Sequence, residues 1–181
     1  MSHLSVYADH CPGKAILKTN LFTDIKQSLA DAGIQLERWA AQAEIADSTD
    51  NAAILAAYRH EIDKLIAERG YQMVDVVSMH PQHPDKDAFR QKFLAEHTHS
   101  EDEVRFFVRG QGLFIIHKDG KVYSMLCEKD DLISVPANTR HWFDMGPNPR
   151  FTAIRLFNNA EGWVAKFTGD EIAKRFPFLD N

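Results

Sequence analysis

The sequence predicts a mainly β protein of the α+β class, in which an antiparallel β-barrel or jelly roll carries helices at its N-terminal side. Three observations support this prediction. Residues 1–70 have mainly helical spacing of apolar residues, residues 71–168 contain mostly short strand-like runs, and 181 residues suit one domain. We therefore expect a single domain over residues 1–181, with a strand and helices packed on the barrel and a C-terminal tail over residues 169–181.

Two segments of the N-terminal part have helical spacing. FTDIKQSLADAGI, residues 22–34, places four apolar residues on one side of a helix. Residues 48–70 carry a longer apolar stripe. One of the first three residues of this segment, Ser-Thr-Asp, can cap its start, and Gly70 can end it. We expect one helix in each segment.

Strands dominate the remainder of the chain. YQMVDVVSM, residues 71–79, is predicted to form a strand, and residues 80–93 a proline-broken loop with a short helix. Further predicted strands are VRFFV, LFIIH, VYSML, LISV, HWFDM and FTAIRLF, with RGQG, KDGK and EKDD as turns between neighbours. DEIAKRFPF is predicted to form a last short helix. Short strands at such close spacing are typical of antiparallel barrels and sandwiches.

The strongest chemical signal lies in AEHTHSEDEVRFFVRGQG, residues 95–112. Side chains alternate faces along an extended strand, so His97, His99 and Glu103 point into one space if this stretch is extended. Two imidazoles and a carboxylate are natural ligands for a divalent transition metal. His141 follows a proline turn in LISVPANTRHWFD and can reach the same interior from another strand. The pattern predicts a metal centre.

Charge and composition argue against several other classes of protein. A net charge of −5 is unusual for a general nucleic-acid binder. The chain has no apolar run near the ~18 residues that span a membrane, and its start lacks the pattern of a signal peptide. Two distant cysteines, Cys11 and Cys127, fit a reduced compartment. We expect a cytoplasmic monomer that binds neither nucleic acid nor a membrane.

Two motifs resemble those of a known superfamily. HTHSEDEVRFFVRG reads H-x-H-x3-E-x6-G and PANTRH reads P-x-N-x2-H, a pair that resembles the two motifs of the cupins. The second motif departs from the usual pattern at Asp130 and Asn138, where glycine is usual, and at Met145, where asparagine is common. Asparagine tolerates the left-handed backbone conformation better than most residues, so the turn can persist.

The flanking sequences narrow the resemblance. KFLAEHTHSEDEVRFFVRGQGLF, DLISVPANTRHWFDMG, AIRLF and GWVAKF are similar to the acireductone dioxygenase family of the methionine salvage pathway. The similarity runs through most of the chain and is densest over residues 89–165. It implies a cupin fold and a metal-dependent dioxygenase.

The resemblance implies a ligand set and two alternative metals. One ion per chain, Fe(II) or Ni(II), would be held by His97, His99, Glu103 and His141. Four ligands on an octahedral ion leave two adjacent positions for a bidentate substrate. With iron, the acireductone 1,2-dihydroxy-5-(methylthio)pent-1-en-3-one and O2 would give 4-methylthio-2-oxobutanoate and formate. With nickel they would give 3-(methylthio)propanoate, formate and carbon monoxide.

Other residues are predicted to serve the substrate. Arg105 shares the parity of the ligands, and its permanent charge would favour a substrate dianion, a role that the resemblance also implies. The alternative is an ion pair with a nearby carboxylate. For Arg155 the same two alternatives apply, a substrate-facing role or a structural ion pair. Phe93, Phe143 and Trp163 are predicted to form the apolar wall for the methylthio tail, or to fill the core alone.

Two acidic residues are predicted to lie beside the ligands. The resemblance implies a role in metal loading for Glu96 and a role in relaying local conformational change for Asp102. Both positions are even-numbered, so we expect these side chains to accept an imidazole N–H rather than to bind the metal. Two other functions stay open: another metal-dependent cupin enzyme, such as a different dioxygenase or a sugar isomerase, and a non-enzymatic cupin module.

Overall fold

The fold is described for residues 1–159, 161 and 164–180 of a computed structural model. Its strands are β1 (His3–Ala8), β2 (Ala15–Thr19), β3 (Gln35–Arg38), β4 (Met73–Met79), β5 (His97–Thr98), β6 (Glu103–Lys118), β7 (Lys121–Glu128), β8 (Asp131–Val135), β9 (Arg140–Asp144), β10 (Phe151–Phe157) and β11 (Lys166–Phe167). Its helices are α1 (Phe22–Asp31), α2 (Asn51–Ala57), α3 (Arg59–Arg69) and α4 (Lys86–Leu94), and a 3-10 segment covers Ile172–Arg175. Among these residues, every helix is too short or too polar to cross a membrane.

Two antiparallel layers share β6. The first layer has the strand order β11-β5-β9-β6-β7-β1-β2, and the second has the order β4-β10-β6-β8-β3. Within the described residues the layers are hydrogen-bonded to each other through β6 alone, so the sheet stays open instead of closing into a complete barrel. The prediction of a mainly β jelly roll with helices at the N-terminal side is confirmed.

The main apolar core lies between the layers. The first layer contributes Phe114 and Phe143, the second contributes Phe151 and Ile133, and each is at most 1% exposed. Full burial of such a side chain stabilises the fold by about 1.5–3 kcal/mol. Helices α2 and α3 cover the outer face of the second layer, and the 3-10 segment packs on the outer face of the first. The core therefore holds the two layers against each other.

The prediction of two strands separated by a turn at RGQG is wrong. β6 runs over 16 residues and passes through RGQG without a turn. The strand has a bulge at Val108, just before RGQG. On β10 the successive partners of Phe107 and Arg109 are adjacent residues, so Val108 is skipped. The bulge reverses the parity of β6, because Phe107 faces the core before it and Phe114 faces the core after it.

Glycines in this segment serve close packing. Gly110 has φ +67°, and a Cβ on it would lie 1.8 Å from the carbonyl oxygen of Arg150. A Cβ on Gly112 would lie 2.2 Å from the Phe143 ring. The two glycines of RGQG, which made it resemble a turn, are therefore explained by close contacts within a continuous strand.

The N-terminal part differs from the prediction in two respects. β1 and β2 form a hairpin that pairs with β7, and β3 pairs with β8, so this part contains three strands beside its helices. The segment over residues 48–70 contains two helices, because the chain breaks at Tyr58 and its ring packs edge-on against Phe106. Asp50 caps the first of them through Ala53 N–H. Gly70 ends the second, as predicted.

Asp130 and Asn138, where the cupin pattern has glycine, adopt left-handed backbone conformations with φ of 80° and 60°. The side chain of Asp130 compensates by accepting a hydrogen bond from Ala41 N–H at 2.7 Å. Asn138 N–H donates to the carbonyl oxygen of His99 at 2.8 Å. The turn before β9 is thereby tied to the loop that carries a predicted ligand.

Because asparagine tolerates this conformation and alanine does not, Asn138→Ala is expected to lower the free energy of unfolding by about 1 kcal/mol. Asn138→Gly is expected to leave it within about 0.5 kcal/mol of the parent value. Urea denaturation of the two variants measures the difference. Equal stability of the alanine and glycine variants would contradict the role of the left-handed conformation.

Candidate metal centre

Three buried histidines converge at one end of the space between the layers. His97 lies on β5, His99 follows that strand, and His141 lies on β9, where it is the pairing partner of His97. One ligand nitrogen from each ring lies within 4.8 Å of the other two. The three residues are at most 6% exposed. The structure thus brings together three of the four predicted ligands in a protected pocket.

Backbone carbonyls hold each of these imidazoles through Nδ1. The acceptors for His97, His99 and His141 are the carbonyl oxygens of Ala95 (2.7 Å), Val164 (3.3 Å) and Thr139 (2.8 Å), respectively. A histidine that donates from Nδ1 to a carbonyl carries its lone pair on Nε2. Such outer hydrogen bonds orient the ring and set its tautomer in metal sites. All three Nε2 atoms are therefore available as ligands.

Glu103, at the start of β6, is the fourth member of the group. Its Oε2 lies 3.4 Å from Nε2 of His99 and 3.3 Å from Nε2 of His141. Its Oε1 accepts a hydrogen bond from Arg105 Nε at 2.6 Å. Two carboxylate oxygens are thus divided between an arginine and the histidine cluster.

Two buried atoms of the group lack a hydrogen-bond partner among the residues that the structure describes, namely Glu103 Oε2 and His141 Nε2. An unpaired buried polar atom costs about 1–3 kcal/mol of stability. A divalent cation bound to the three Nε2 atoms and this Oε2 would satisfy both. The donor set, three imidazoles and one carboxylate, also suits a first-row transition metal. The residues present therefore fit a metal ion.

The environment keeps these side chains in the protonation states that metal binding requires. Burial lowers the pKa of His97 to about 3, and the neighbouring His141 adds to the effect. Burial also lowers the pKa of His99. For Glu103, burial raises the pKa, but the Arg105 charge and the adjacent His141 imidazole outweigh it and hold the pKa well below its usual range. Neutral imidazoles and an ionised carboxylate are the forms that bind metals.

The lowered histidine pKa values predict a pH-dependent stability of the metal-free protein. Unfolded, both histidines take up a proton near pH 6.5, whereas folded His97 does so near pH 3. Lowering the pH from 6.5 to 5 therefore protonates the unfolded chain preferentially. The free energy of unfolding should fall by about 1.4 kcal/mol per pH unit for His97, and the lowered pKa of His99 changes it in the same direction. Above pH 6.5 this contribution is constant.

Urea denaturation of chelator-treated protein between pH 7 and 5 measures this slope. The variant H97Q/H99Q serves as the control, because glutamine keeps a polar side chain at each position and does not titrate. It should show a flatter dependence than the parent protein. Parallel curves for the two proteins would contradict the assignment of the slope to this cluster.

The odd-numbered residues that were predicted to point inward come from two segments, β5 with the loop after it and the start of β6. β5 ends at Thr98, the chain bends through residues 99–102, and β6 begins at Glu103. Despite the bend, Glu103 and Arg105 point to the same space as the two histidines of HTH. Alternation explains Glu103 and Arg105, which share one strand. The histidines join them because β5 pairs with β9.

A cavity of about 470 Å³ opens beside the histidines. Phe93, Arg105 and Arg155 line it, as predicted for residues that face the substrate. Phe143 lies one layer deeper, 1% exposed, with its ring edge-on to that of Phe93 at 6.2 Å. Trp163 lies outside the described residues. The substrate-binding roles stay predictions.

Sequence reasoning overlooked several residues of the cavity wall. Phe89 and Lys92 share with Phe93 the spacing i, i+3, i+4, which places all three on one face of α4. That spacing was visible in the sequence. Val164, Ala165 and Phe167 approach the cavity from the other side, because β11 pairs with β5. No periodicity signals a strand of two residues.

Arg155 and Arg105 are both engaged in ion pairs. Arg155 binds Asp75 through two hydrogen bonds of 2.9 and 2.6 Å. The Arg105 guanidinium carbon also lies 5.1 and 4.9 Å from the ring centroids of Phe114 and Phe143. The structural alternative considered for each arginine is therefore present, and for Arg105 the partner is itself a predicted ligand.

Glu96 and Asp102 contact neighbours of the ligands. Glu96 is 1% exposed and accepts hydrogen bonds from His117 Nδ1 and the Thr168 hydroxyl, both at 2.7 Å. It thus accepts an imidazole N–H, but not from one of the predicted ligands. Asp102 accepts from Ala137 N–H at 2.8 Å, which joins the loop after HTH to the PANTRH turn.

Comparisons with known proteins agree on one family. A family model described as "ARD/ARD' family" matches residues 3–165. Acireductone dioxygenase of Serratia proteamaculans (strain 568) is 56% identical over 99% of this chain and 100% of its own, and that of Alcanivorax borkumensis is 59% identical over 97% of each. Among solved structures, acireductone dioxygenase from Bacillus anthracis with a cadmium ion in its active center superposes with a TM-score of 0.81 at 33% identity, covering 92% of this chain and 98% of the other.

Proposed function

The chain belongs to the ARD/ARD' family, and from this premise we propose that it cleaves an acireductone with O2 at one metal ion held by His97, His99, Glu103 and His141. The observation that carries the proposal is a pair of buried atoms that have no hydrogen-bond partner among the described residues, Glu103 Oε2 and His141 Nε2, which lie 3.3 Å apart. Family membership sets aside the alternatives of a sugar isomerase and of a non-enzymatic module.

The ligand set supports Fe(II) or Ni(II) as the metal. Three imidazoles and one carboxylate suit both ions, so the choice between them depends on supply as well as on the site. When bound, such an ion would supply open coordination positions and Lewis-acid polarisation of a chelated substrate. Iron would direct the reaction to 4-methylthio-2-oxobutanoate and formate, and nickel to 3-(methylthio)propanoate, formate and carbon monoxide.

Arg105 has the geometry to stabilise negative charge on the substrate. It is 5% exposed, lines the cavity, and keeps its charge at every relevant pH. Its Nε is bonded to Glu103, so the terminal nitrogens of the guanidinium are the groups left to face a substrate oxygen. A fixed cation in a site shielded from water favours a dianion over a monoanion.

The apolar part of the cavity accounts for the rest of the substrate. Phe93 stacks on Phe89 with ring centroids 5.9 Å apart, and both rings line the cavity. Val77 and Phe167 extend this surface. A methylthio tail is well matched to aromatic and aliphatic walls. We further propose a place in methionine salvage and in the cytoplasm, which fits the two unpaired cysteines.

The experiment that tests the function is anaerobic reconstitution of the metal-free protein with Fe(II) and, separately, with Ni(II). Each sample receives acireductone and then O2, and the products are identified by mass spectrometry and by gas analysis for carbon monoxide. The iron sample should yield the 2-oxo acid and formate, and the nickel sample should yield carbon monoxide in addition to formate. Absence of oxygen uptake with both metals would overturn the proposal.

A further inference from the structure

The charges around the cavity are distributed unevenly. Its lining contains three cationic side chains, Lys92, Arg105 and Arg155, and among the described lining residues there is no carboxylate. The whole chain, in contrast, carries a net charge of −5. An anion that approaches this protein therefore meets a repulsive surface with a local attractive opening.

Of the three cations, Lys92 is the one whose charge is not compensated. Arg105 is paired with Glu103 at 2.6 Å, and Arg155 is paired with Asp75 at 2.6 Å. Over residues 1–159, 161 and 164–180, Lys92 has no carboxylate within ion-pair distance. Its side chain is exposed, so the ammonium group lies at the entrance, whereas Arg105 is buried.

Helix α4 is held firmly enough to present Lys92 at a fixed place. Arg90, on the same helix, binds both carboxylate oxygens of Asp144 at 2.8 and 3.1 Å, and Asp144 is 1% exposed. Lys86, at the start of the helix, donates to the carbonyl oxygen of Pro147 at 2.7 Å. The face that carries Phe89, Lys92 and Phe93 is thereby directed at the cavity.

We propose that Lys92 draws the anionic substrate into the cavity and thereby sets the preference of the site for anions over neutral molecules of the same shape. The proposal rests on the proposed function, because an acireductone is a vinylogous carboxylic acid and is ionised at neutral pH. The ammonium group of Lys92 attracts this anion as it enters the cavity past Phe89 and Phe93. Lys92 acts on capture and takes no part in the reaction with O2.

A kinetic test compares the metal-loaded protein with Lys92→Met and Lys92→Glu. At low ionic strength, Lys92→Met should lower kcat/KM about three- to tenfold with kcat unchanged, and Lys92→Glu should lower it further. The differences should shrink in about 0.5 M salt, where exposed charges are screened. Lys121→Met is the matched control, since it removes the same charge from an exposed position outside the cavity lining, and it should behave as the parent protein.

A binding test separates this proposal from the proposed function. Nickel-loaded protein is titrated calorimetrically with hexanoate, an anion with a short apolar tail, and with the neutral hexanamide. Lys92→Met should weaken hexanoate binding about three- to tenfold at low salt and leave hexanamide binding unchanged. Equal hexanoate affinity for parent and variant would overturn the role of Lys92, even if the protein proves to turn over acireductone. Weaker hexanoate binding by the variant would support the role of Lys92, even if the protein does not turn over acireductone.

Discussion

Glu103→Gln is expected to abolish stable metal binding and to reduce turnover by a factor of at least about 10³. Glu103 is the one anionic member of the proposed ligand set, and glutamine keeps its size while removing its charge. The substitution also leaves Arg105 buried with a neutral partner at Oε1. Loss of one partner from a buried ion pair costs about 3–5 kcal/mol, so a lower melting temperature should accompany the loss of metal.

Metal content after reconstitution and oxygen uptake with acireductone measure the two effects. Glu101→Gln is the matched control, because Glu101 lies two residues earlier and accepts hydrogen bonds from Asn158 and Asn159, away from the histidines. It should retain one ion per chain and near-parent turnover. A Glu103→Gln variant with a full complement of metal and normal turnover would remove Glu103 from the site.

Arg105→Met is expected to lower kcat by about 10²–10³ while one metal ion per chain is retained. Methionine preserves much of the packing against Phe114 and Phe143 but supplies no charge to a substrate dianion. Raising the pH should recover part of the lost activity, because solvent hydroxide then favours the dianion without help from the arginine. Arg105→Lys should fall between the two proteins, since lysine keeps the charge but not the planar group.

The readouts are metal content, kcat and the pH profile of kcat. Arg109→Met controls for loss of an arginine from β6, because Arg109 lies past the bulge and pairs with Asp47 far from the cluster. If Arg105→Met kept parent-like kcat at neutral pH, the dianion role of Arg105 would be wrong. If its metal content fell as far as that of Glu103→Gln, Arg105 would act through Glu103 alone.

Local pattern predicted the elements that bury one face and expose the other. α1 and the strands from β7 to β10 follow their apolar spacing, and the caps at Asp50 and Gly70 follow from the chemistry of helix ends. β1 was not predicted in detail because it is buried on nearly all positions and shows no alternation. The break at Tyr58 depends on a tertiary contact with Phe106, which no local pattern encodes.

The proposed site was easier to predict than the fold around it. Ligand identity depends on residue type and on spacing within HTH and PANTRH, and both are local. What depends on tertiary structure was less accessible, such as His117 as the partner of Glu96, 21 residues away, and Asp75 as the partner of Arg155, 80 residues away. The bulge at Val108 also depends on tertiary structure, because the nearby Gly110 and Gly112 are required by close contacts with Arg150 and Phe143.

The long strand β6 affects how the protein unfolds. Its first half is hydrogen-bonded to β8 and β10 and its second half to β7 and β9, so neither layer can separate while the other stays intact. Glu103 sits at one end of this shared strand, and the hairpin to β7 closes the other. Loss of either layer exposes the apolar surface of both. We therefore expect the two layers to unfold in one cooperative transition. A ligand that stabilises one end of β6 should raise the stability of the whole fold.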